Sequence, residues 1–208
     1  MNDLARGTYE REEATTMTRH LVLEDRLLEL GAGIGFMTCK AAQILPAEQI
    51  TAVEANPALL PIIRNNFALN GCADVALLHG AVTSGPDAPD GVFYVGPNFT
   101  AASTSKVGRG NFREISVPVL DFAVLLERAA PTVVVMDVEG GELELAEVAL
   151  PESVRLVIME VHRDWLGDTG IRVLFDRMHA QGFVYTPEGS NGAVVCFARI
   201  DATTGRAG

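Results

Sequence analysis

Four residues able to move protons or bind cations form two matched pairs late in the chain. Asp137 and Glu139 close the apolar run Thr132–Val138, and Glu160 and His162 close the run Arg155–Val161. Side chains two apart in a strand point to one face, so each pair presents its two groups together. An imidazole can take a hydroxyl proton near neutral pH, which makes His162 the candidate general base. Asp137 is a candidate for orienting the reactants, with Glu139 and Glu160 beside them. A competing reading has Asp137 or Glu139 capping a helix that starts near Gly141, with Glu142 adding first-turn charge; for Glu139 capping and catalysis both stand. Oxygen ligands such as Asp137, Glu139 and Glu160 would suit Mg²⁺, but the sequence holds no tighter acid cluster and no metal is assigned. His20, His79 and His179 have no comparable setting.

A second constellation lies near the start. The apolar run Leu28-Glu29-Leu30 enters Gly31-Ala32-Gly33-Ile34-Gly35, and Glu54-Ala55 follows about 20 residues later. A strand, a glycine turn and a helix let backbone approach a ligand closely, while an acid at that distance holds two ribose hydroxyls. Phe36 stands where a dinucleotide fingerprint has its third glycine. Glu29 places a carboxylate where it would repel a pyrophosphate but attract an ammonium or sulfonium. The ligand expected is therefore S-adenosylmethionine rather than NAD.

The elements that must position these groups alternate between strand and helix. Strands are predicted at Arg26–Gly31, Gln49–Glu54, Val75–Val82, Thr132–Val138 and Arg155–Val161. Helices are predicted at Phe36–Leu45, Pro57–Asn70 with Pro57 in its first turn, Leu120–Arg128, Glu142–Ala149 and Gly170–Gln181. Short β runs at Val92–Val95 and Ile115–Val119 flank the polar stretch Asn98–Asn111, which reads as an inserted hairpin or a pair of short strands whose long loop is either a lid or simply disordered. Phe183–Thr186 and Ala193–Ile200 form a closing antiparallel pair across the turn 188–192. The expected fold is α/β: a Rossmann-like, mostly parallel sheet with helices on both faces and an antiparallel C-terminal strand. All 208 residues make one domain, with an N-terminal cap segment (1–24), the insertion (83–119) and a frayed tail (201–208).

A formal charge of −11 opposes partners that are captured by basic surfaces, so neither nucleic acid nor an anionic membrane is expected. Lys106–Arg113 is the one short basic stretch. Cys39, Cys72 and Cys196 are too scattered for a disulfide framework or a zinc site and read as small core residues. The polar N-terminus has no signal-peptide core and no apolar run reaches membrane-spanning length, so a cytoplasmic protein is expected. A small-molecule acceptor is the expected partner, and a homodimer is compatible with the sequence.

Three blocks carry a resemblance: Leu28-Glu29-Leu30-Gly31-Ala32-Gly33-Ile34-Gly35-Phe36-Met37-Thr38, Ala52-Val53-Glu54-Ala55-Asn56-Pro57 and Met136-Asp137-Val138-Glu139-Gly140-Gly141-Glu142, with Ile158-Met159-Glu160-Val161-His162 as a weaker fourth. On these the chain resembles the FkbM-type family of class I methyltransferases, departing from its pattern with Gly33 where Asn is usual and Glu29 where Asp is common. The resemblance implies O-methylation of sugars or other secondary metabolites. It also implies that Gly31, Ala32, Gly33 and Gly35 contact the methionine part of the cofactor, that Glu54, with Ala55 beside it, binds the ribose, and that Gly80-Ala81 borders the adenine. Tyr9-Glu10 resembles an element that closes over the cofactor or else starts a solvated helix, and Phe99 and Trp165 are candidate substrate-facing aromatics on loops, with Trp165 alternatively a cover for the sheet edge. Two other classes compete. A non-catalytic adenosylmethionine-binding protein would keep the glycines without needing Asp137 and His162, and an NAD(P)-dependent oxidoreductase is opposed by Glu29 and the missing third glycine.

Overall fold

The computed structural model describes residues 11–96, 102–103 and 112–200. Its main sheet has seven strands in the order β10-β11-β9-β8-β1-β2-β3, with β1 at Leu27–Leu30, β2 at Ile50–Glu54, β3 at Ala76–His79, β8 at Val133–Met136, β9 at Leu156–Glu160, β10 at Phe183–Tyr185 and β11 at Val194–Arg199. The five strands from β3 to β9 run parallel, while β11 lies antiparallel to both β9 and β10. This is the expected Rossmann-like arrangement.

Alternation divides the core. Leu27 of β1 faces a layer containing Met17, Met37 and Phe67, from α1 (Arg11–His20), α2 (Phe36–Ala41) and α3 (Leu60–Leu69). Leu28 and Leu30 face the opposite layer, with Phe122, Leu145 and Leu174 from α4 (Phe122–Ala129), α5 (Glu142–Leu145) and α6 (Arg163–Ala180). Each such side chain contributes about 1.5–3 kcal/mol on burial, and with both faces covered the central strands are apolar throughout. Glu29 is the exception in β1, buried on the α1–α3 side. All three cysteines are free and buried, as expected.

Several boundaries differ from the sequence reading. The run Val75–Val82 is two strands: β3 ends at His79 and β4 (Ala81–Thr83) joins a second sheet, ordered β4-β7-β5-β6, with β5 at Ala88–Val95, β6 at Ala102–Ser103 and β7 at Arg113–Asp121. The break falls at Gly80, whose N–H reaches back to the Glu54 carbonyl at 3.0 Å while Leu120 packs close against its Cα. The predicted hairpin exists as the antiparallel pair β5 and β7, longer than the apolar runs alone suggested. Pro57 lies ahead of α3 and Pro61 occupies the helix's first turn instead. Helices α2 and α5 are one or two turns, whereas α6 starts seven residues early and contains a break at Gly167 (φ 62°). Gly71 (φ 73°) ends α3 as predicted, and Cys72 N–H bonds the Phe67 carbonyl behind it. Tyr9-Glu10, Phe99, the tail 201–208 and all but two residues of the proposed lid 98–111 lie outside the described residues.

Candidate active site

Strand register brings the two matched pairs together. Parallel pairing sets Leu30 beside Met136 and Met136 beside Met159, so the next residues, Asp137 and Glu160, leave the sheet level with each other. Asp137 is two on from Val135 and Glu160 two on from Ile158, so both fall on the face of the sheet that carries Glu29. A crevice opens there, lined by Glu29, Gly31, Met37, Asp137, Ile158 and Glu160. It sits where the strand order reverses between β1 and β8, the place at which open α/β sheets bind ligands.

The glycine turn forms one wall. Gly31, Gly33 and Gly35 all have left-handed φ (83°, 55° and 79°). At Gly31 a Cβ would lie 1.8 Å from the Asp137 carbonyl oxygen, so only glycine lets β1 and β8 end side by side. Gly31 and Ala32 N–H groups both donate to the Val53 carbonyl, at 3.0 and 2.9 Å. The Glu54 carboxylate accepts from Gly33 N–H at 2.8 Å and Asn56 N–H at 2.7 Å. Burial pushes its pKa up, the backbone N–H donors pull it down, and it rests at about 6. An ionised carboxylate has roughly four acceptor positions, and the backbone N–H groups of Gly33, Ala55 and Asn56 draw on them. Glu29 accepts a hydrogen bond from the Thr38 hydroxyl of α2, which aims an acid into the crevice from inside the sheet. Ala81 is packed with Phe93 and Val117 in the small core under the second sheet, with Ala55 against it.

His162 sits at the centre of the acids. Its Nδ1 lies 2.6 Å from Oε1 of Glu142, and its Nε2 lies 3.3 Å from Glu139 Oε2 and 3.6 Å from Asp137 Oδ1. Glu142 is fully buried, and the same Oε1 also accepts Gly140 N–H at 3.1 Å. Burial lowers the imidazole pKa, but the hydrogen bond to Glu142 and the charges of Glu142, Glu139 and Asp137 outweigh it and push it up to about 9. Glu139 is raised by its burial, against the pull of His162. His162, the expected general base, is thus held among acids, with Nδ1 on buried Glu142 and Nε2 facing Glu139 and Asp137, an arrangement that favours the charged ring.

The turn that delivers Glu139 is unusual. Glu139 (φ 48°) and Gly140 (φ 101°) are consecutive left-handed residues, a conformation costing of order 1–3 kcal/mol at a non-glycine position. Trp165 covers it: a Cβ on Gly140 would lie 3.0 Å from Trp165 Cβ. Trp165 is thus a first-turn residue of α6 braced against the site loop, not a loop aromatic. Capping does not account for the acids either, because the residue before α5 is Gly141, with no side-chain cap bond. The reading of Glu142 as first-turn charge missed its larger part as the partner of His162. Asp137, Glu160 and His162 each offer a ligand atom, and these three atoms lie within 4.8 Å of one another. That is the tighter cluster whose absence from the sequence led to no metal being assigned. Among the described residues no helix is long and apolar enough to cross a membrane.

A doubly wound sheet with a glycine turn at β1, an acid at the end of β2 and a crevice at the switch point defines a class I methyltransferase fold. The chain matches the family described as the Methyltransferase FkbM domain over residues 29–185 and belongs to it. A precorrin-6y C5,15-methyltransferase from Geobacter metallireducens GS-15 shares the fold, with a TM-score of 0.55 at 13% identity, covering 91% of this chain and 88% of that one. Cobalt-precorrin-6B C(15)-methyltransferase (decarboxylating) of Salmonella typhimurium is 37% identical over 54 residues, 26% of this chain and 28% of the relative. Release factor glutamine methyltransferase of Deinococcus radiodurans is 29% identical over 102 residues, 46% of this chain and 36% of the relative. The chain thus aligns with about a third or less of the length of these curated relatives. The cofactor is S-adenosylmethionine, and the residues fit it. Glu54 closes the end of β2 against the Gly33 turn, and a crevice walled by Glu29, Asp137 and Glu160 favours cationic centres and rejects phosphates.

Proposed function

We propose that this methyltransferase acts on a hydroxyl oxygen of a small molecule, a sugar or another secondary metabolite. The observation that carries the reading is the convergence of Asp137, Glu139, Glu160 and His162 beside Gly31 at one end of the sheet. A hydroxyl is a poor nucleophile until its proton is held or removed, and this cluster supplies both functions within reach of one another. S-adenosylmethionine, when bound, supplies an electrophilic methyl group.

The chain's own contribution is placement and proton handling. Glu54 and the Gly31–Gly35 turn hold the cofactor. Glu29 attracts its positive charge. Asp137 and Glu160 hold the acceptor hydroxyl, and Glu139 stands next to them to accept its proton. His162, tied to buried Glu142, keeps the acids from repelling one another. Positioning of this kind supplies about 7–11 kcal/mol of a barrier, whereas general acid–base help contributes roughly 10²–10⁴ in rate. The net charge of −11 favours a neutral or cationic small acceptor over a polyphosphate. Incubation with methyl-labelled cofactor and a panel of hydroxylated sugars and secondary metabolites, followed by NMR of the product, tests this. A methyl on oxygen is expected, and label found only on carbon or nitrogen would overturn it.

A further inference from the structure

We propose that Asp137, Glu160 and the Nε2 atom of His162 form a binding site for a divalent cation of the Mn²⁺/Mg²⁺ class, which takes the acceptor's oxygen as a further ligand. This rests on the reading of the acceptor as a hydroxyl compound and deepens it.

The geometry has two independent parts. The first is the donor set. Two carboxylates and an imidazole come from the ends of adjacent parallel strands and the residues just beyond them, with their ligand atoms within 4.8 Å of one another. Around a single ion at about 2.0–2.2 Å from each donor, three ligands on one side of an octahedron span no more than that separation. Three positions then remain open toward the crevice.

The second part is the support of the imidazole. A metal-bound histidine almost always donates its other ring N–H to a carboxylate, a backbone carbonyl or water, which sets the tautomer and the ring plane. Here Nδ1 meets Glu142 Oε1 at 2.6 Å, and Glu142 is fully buried. Gly140 N–H fixes the same oxygen, and Oε2 of Glu142 has no hydrogen-bond partner among the described residues. A buried acid held with one oxygen on Nδ1 leaves Nε2 as the working atom, and Nε2 is the nitrogen that faces Asp137 and Glu139. Three carboxylates, Asp137, Glu139 and Glu142, gather on one imidazole with Glu160 nearby, so a single ring cannot neutralise them and a dication can. Two oxygens and one nitrogen suit Mn²⁺ or Mg²⁺, with the imidazole favouring Mn²⁺, and the absence of cysteine among the donors disfavours soft metals.

A hydroxyl on such an ion becomes more acidic. In the transfer, the new oxygen–carbon bond forms as the sulfur–carbon bond breaks with its electron pair going to sulfur. The hydroxyl proton passes to Glu139 and from there to solvent, on the side where Asp137 is 39% exposed.

The test is Mn²⁺ binding to the chelator-stripped protein, read by electron paramagnetic resonance and calorimetry without acceptor, alongside calorimetry of S-adenosylhomocysteine. Wild type should bind one Mn²⁺ per chain. Asp137→Asn and Glu160→Gln should each lose at least tenfold in Mn²⁺ affinity, and Glu142→Gln about 10–100-fold. Glu160→Gln, at a partly exposed strand end, should keep the wild-type melting temperature, so that its loss of Mn²⁺ affinity is read on folded protein. Mn²⁺ should also broaden the His162 ring resonances of wild type before those of His20, His79 or His179, a readout that needs no variant. Absence of saturable Mn²⁺ binding in folded wild type, or equal binding by wild type and all three variants, overturns the cation site. Failure of S-adenosylhomocysteine to bind would instead count against the methyltransferase reading, so the two failures are distinguishable.

Discussion

Replacing Glu54 by glutamine should separate ligand binding from folding. The carboxylate is 6% exposed, and burial raises its pKa from 4.5 to about 6 against the opposing backbone donors. At about 1.4 kcal/mol per tenfold change, keeping it ionised costs the folded state about 2 kcal/mol. The sign follows from proton uptake: between pH 4.5 and 6 the folded chain binds more protons than the unfolded one, so this group's contribution to stability is fully present below pH 4.5 and lost as pH rises through 6. Glutamine removes the ionisation cost. It also turns an N–H donor toward Gly33 N–H or Asn56 N–H, leaving one of them unsatisfied at about 1–3 kcal/mol. These two effects nearly cancel, so the melting temperature at pH 8 should move by only a few degrees. Binding should not be spared. Hydrogen bonds to a charged group are worth about 1.5–3 kcal/mol, so affinity for S-adenosylhomocysteine should fall roughly 10–100-fold. Because the ionised acid is the binding form, wild-type affinity should weaken as pH falls through 6, and that limb should vanish in Glu54→Gln. Calorimetric titration from pH 5 to 8 measures all of this. A folded variant with unchanged affinity, or one with the same acid limb, would refute Glu54 as the ribose acid.

Three further outcomes follow from the geometry. With chelator present, the His162 ring should titrate by NMR at about 9, its stabilisation complete below pH 6.5 and lost as pH rises through 9. In Glu142→Gln the midpoint should drop, since burial alone pulls it down, and an unmoved midpoint would show that Glu142 does not set it. Gly31→Ala combines a left-handed φ with a Cβ 1.8 Å from the Asp137 carbonyl. It should destabilise by about 3 kcal/mol or more, and a melting temperature within two degrees of wild type would contradict the close approach of β1 and β8. Phe67→Ala empties a side chain 2% exposed that packs under Gly35, so a loss of about 3–5 kcal/mol is expected in urea denaturation, and a loss under 1 kcal/mol would contradict that packing.

What the sequence by itself determined was local. The strand, the three glycines and Glu54 are close on the chain, and their conformations follow from residue type, so the glycine turn and its acid were legible: left-handed φ favours glycine, and a buried acid at the end of β2 needs donors that the Gly33 turn supplies. The βαβ rhythm was legible for the same reason, through apolar periodicity. What only the tertiary structure decided was long-range. Asp137 meets Glu160 because Met136 pairs with Met159, and a shift of one residue would send every side chain of β9 to the other face. Glu142 reaches His162 across 20 residues of chain, so its role cannot be read from its place at a helix start. The split of Val75–Val82 at Gly80 depends on Leu120, from an element forty residues away. The protonation of His162 depends most on tertiary placement, because it balances burial against three carboxylates that share one small volume only after the strands have paired.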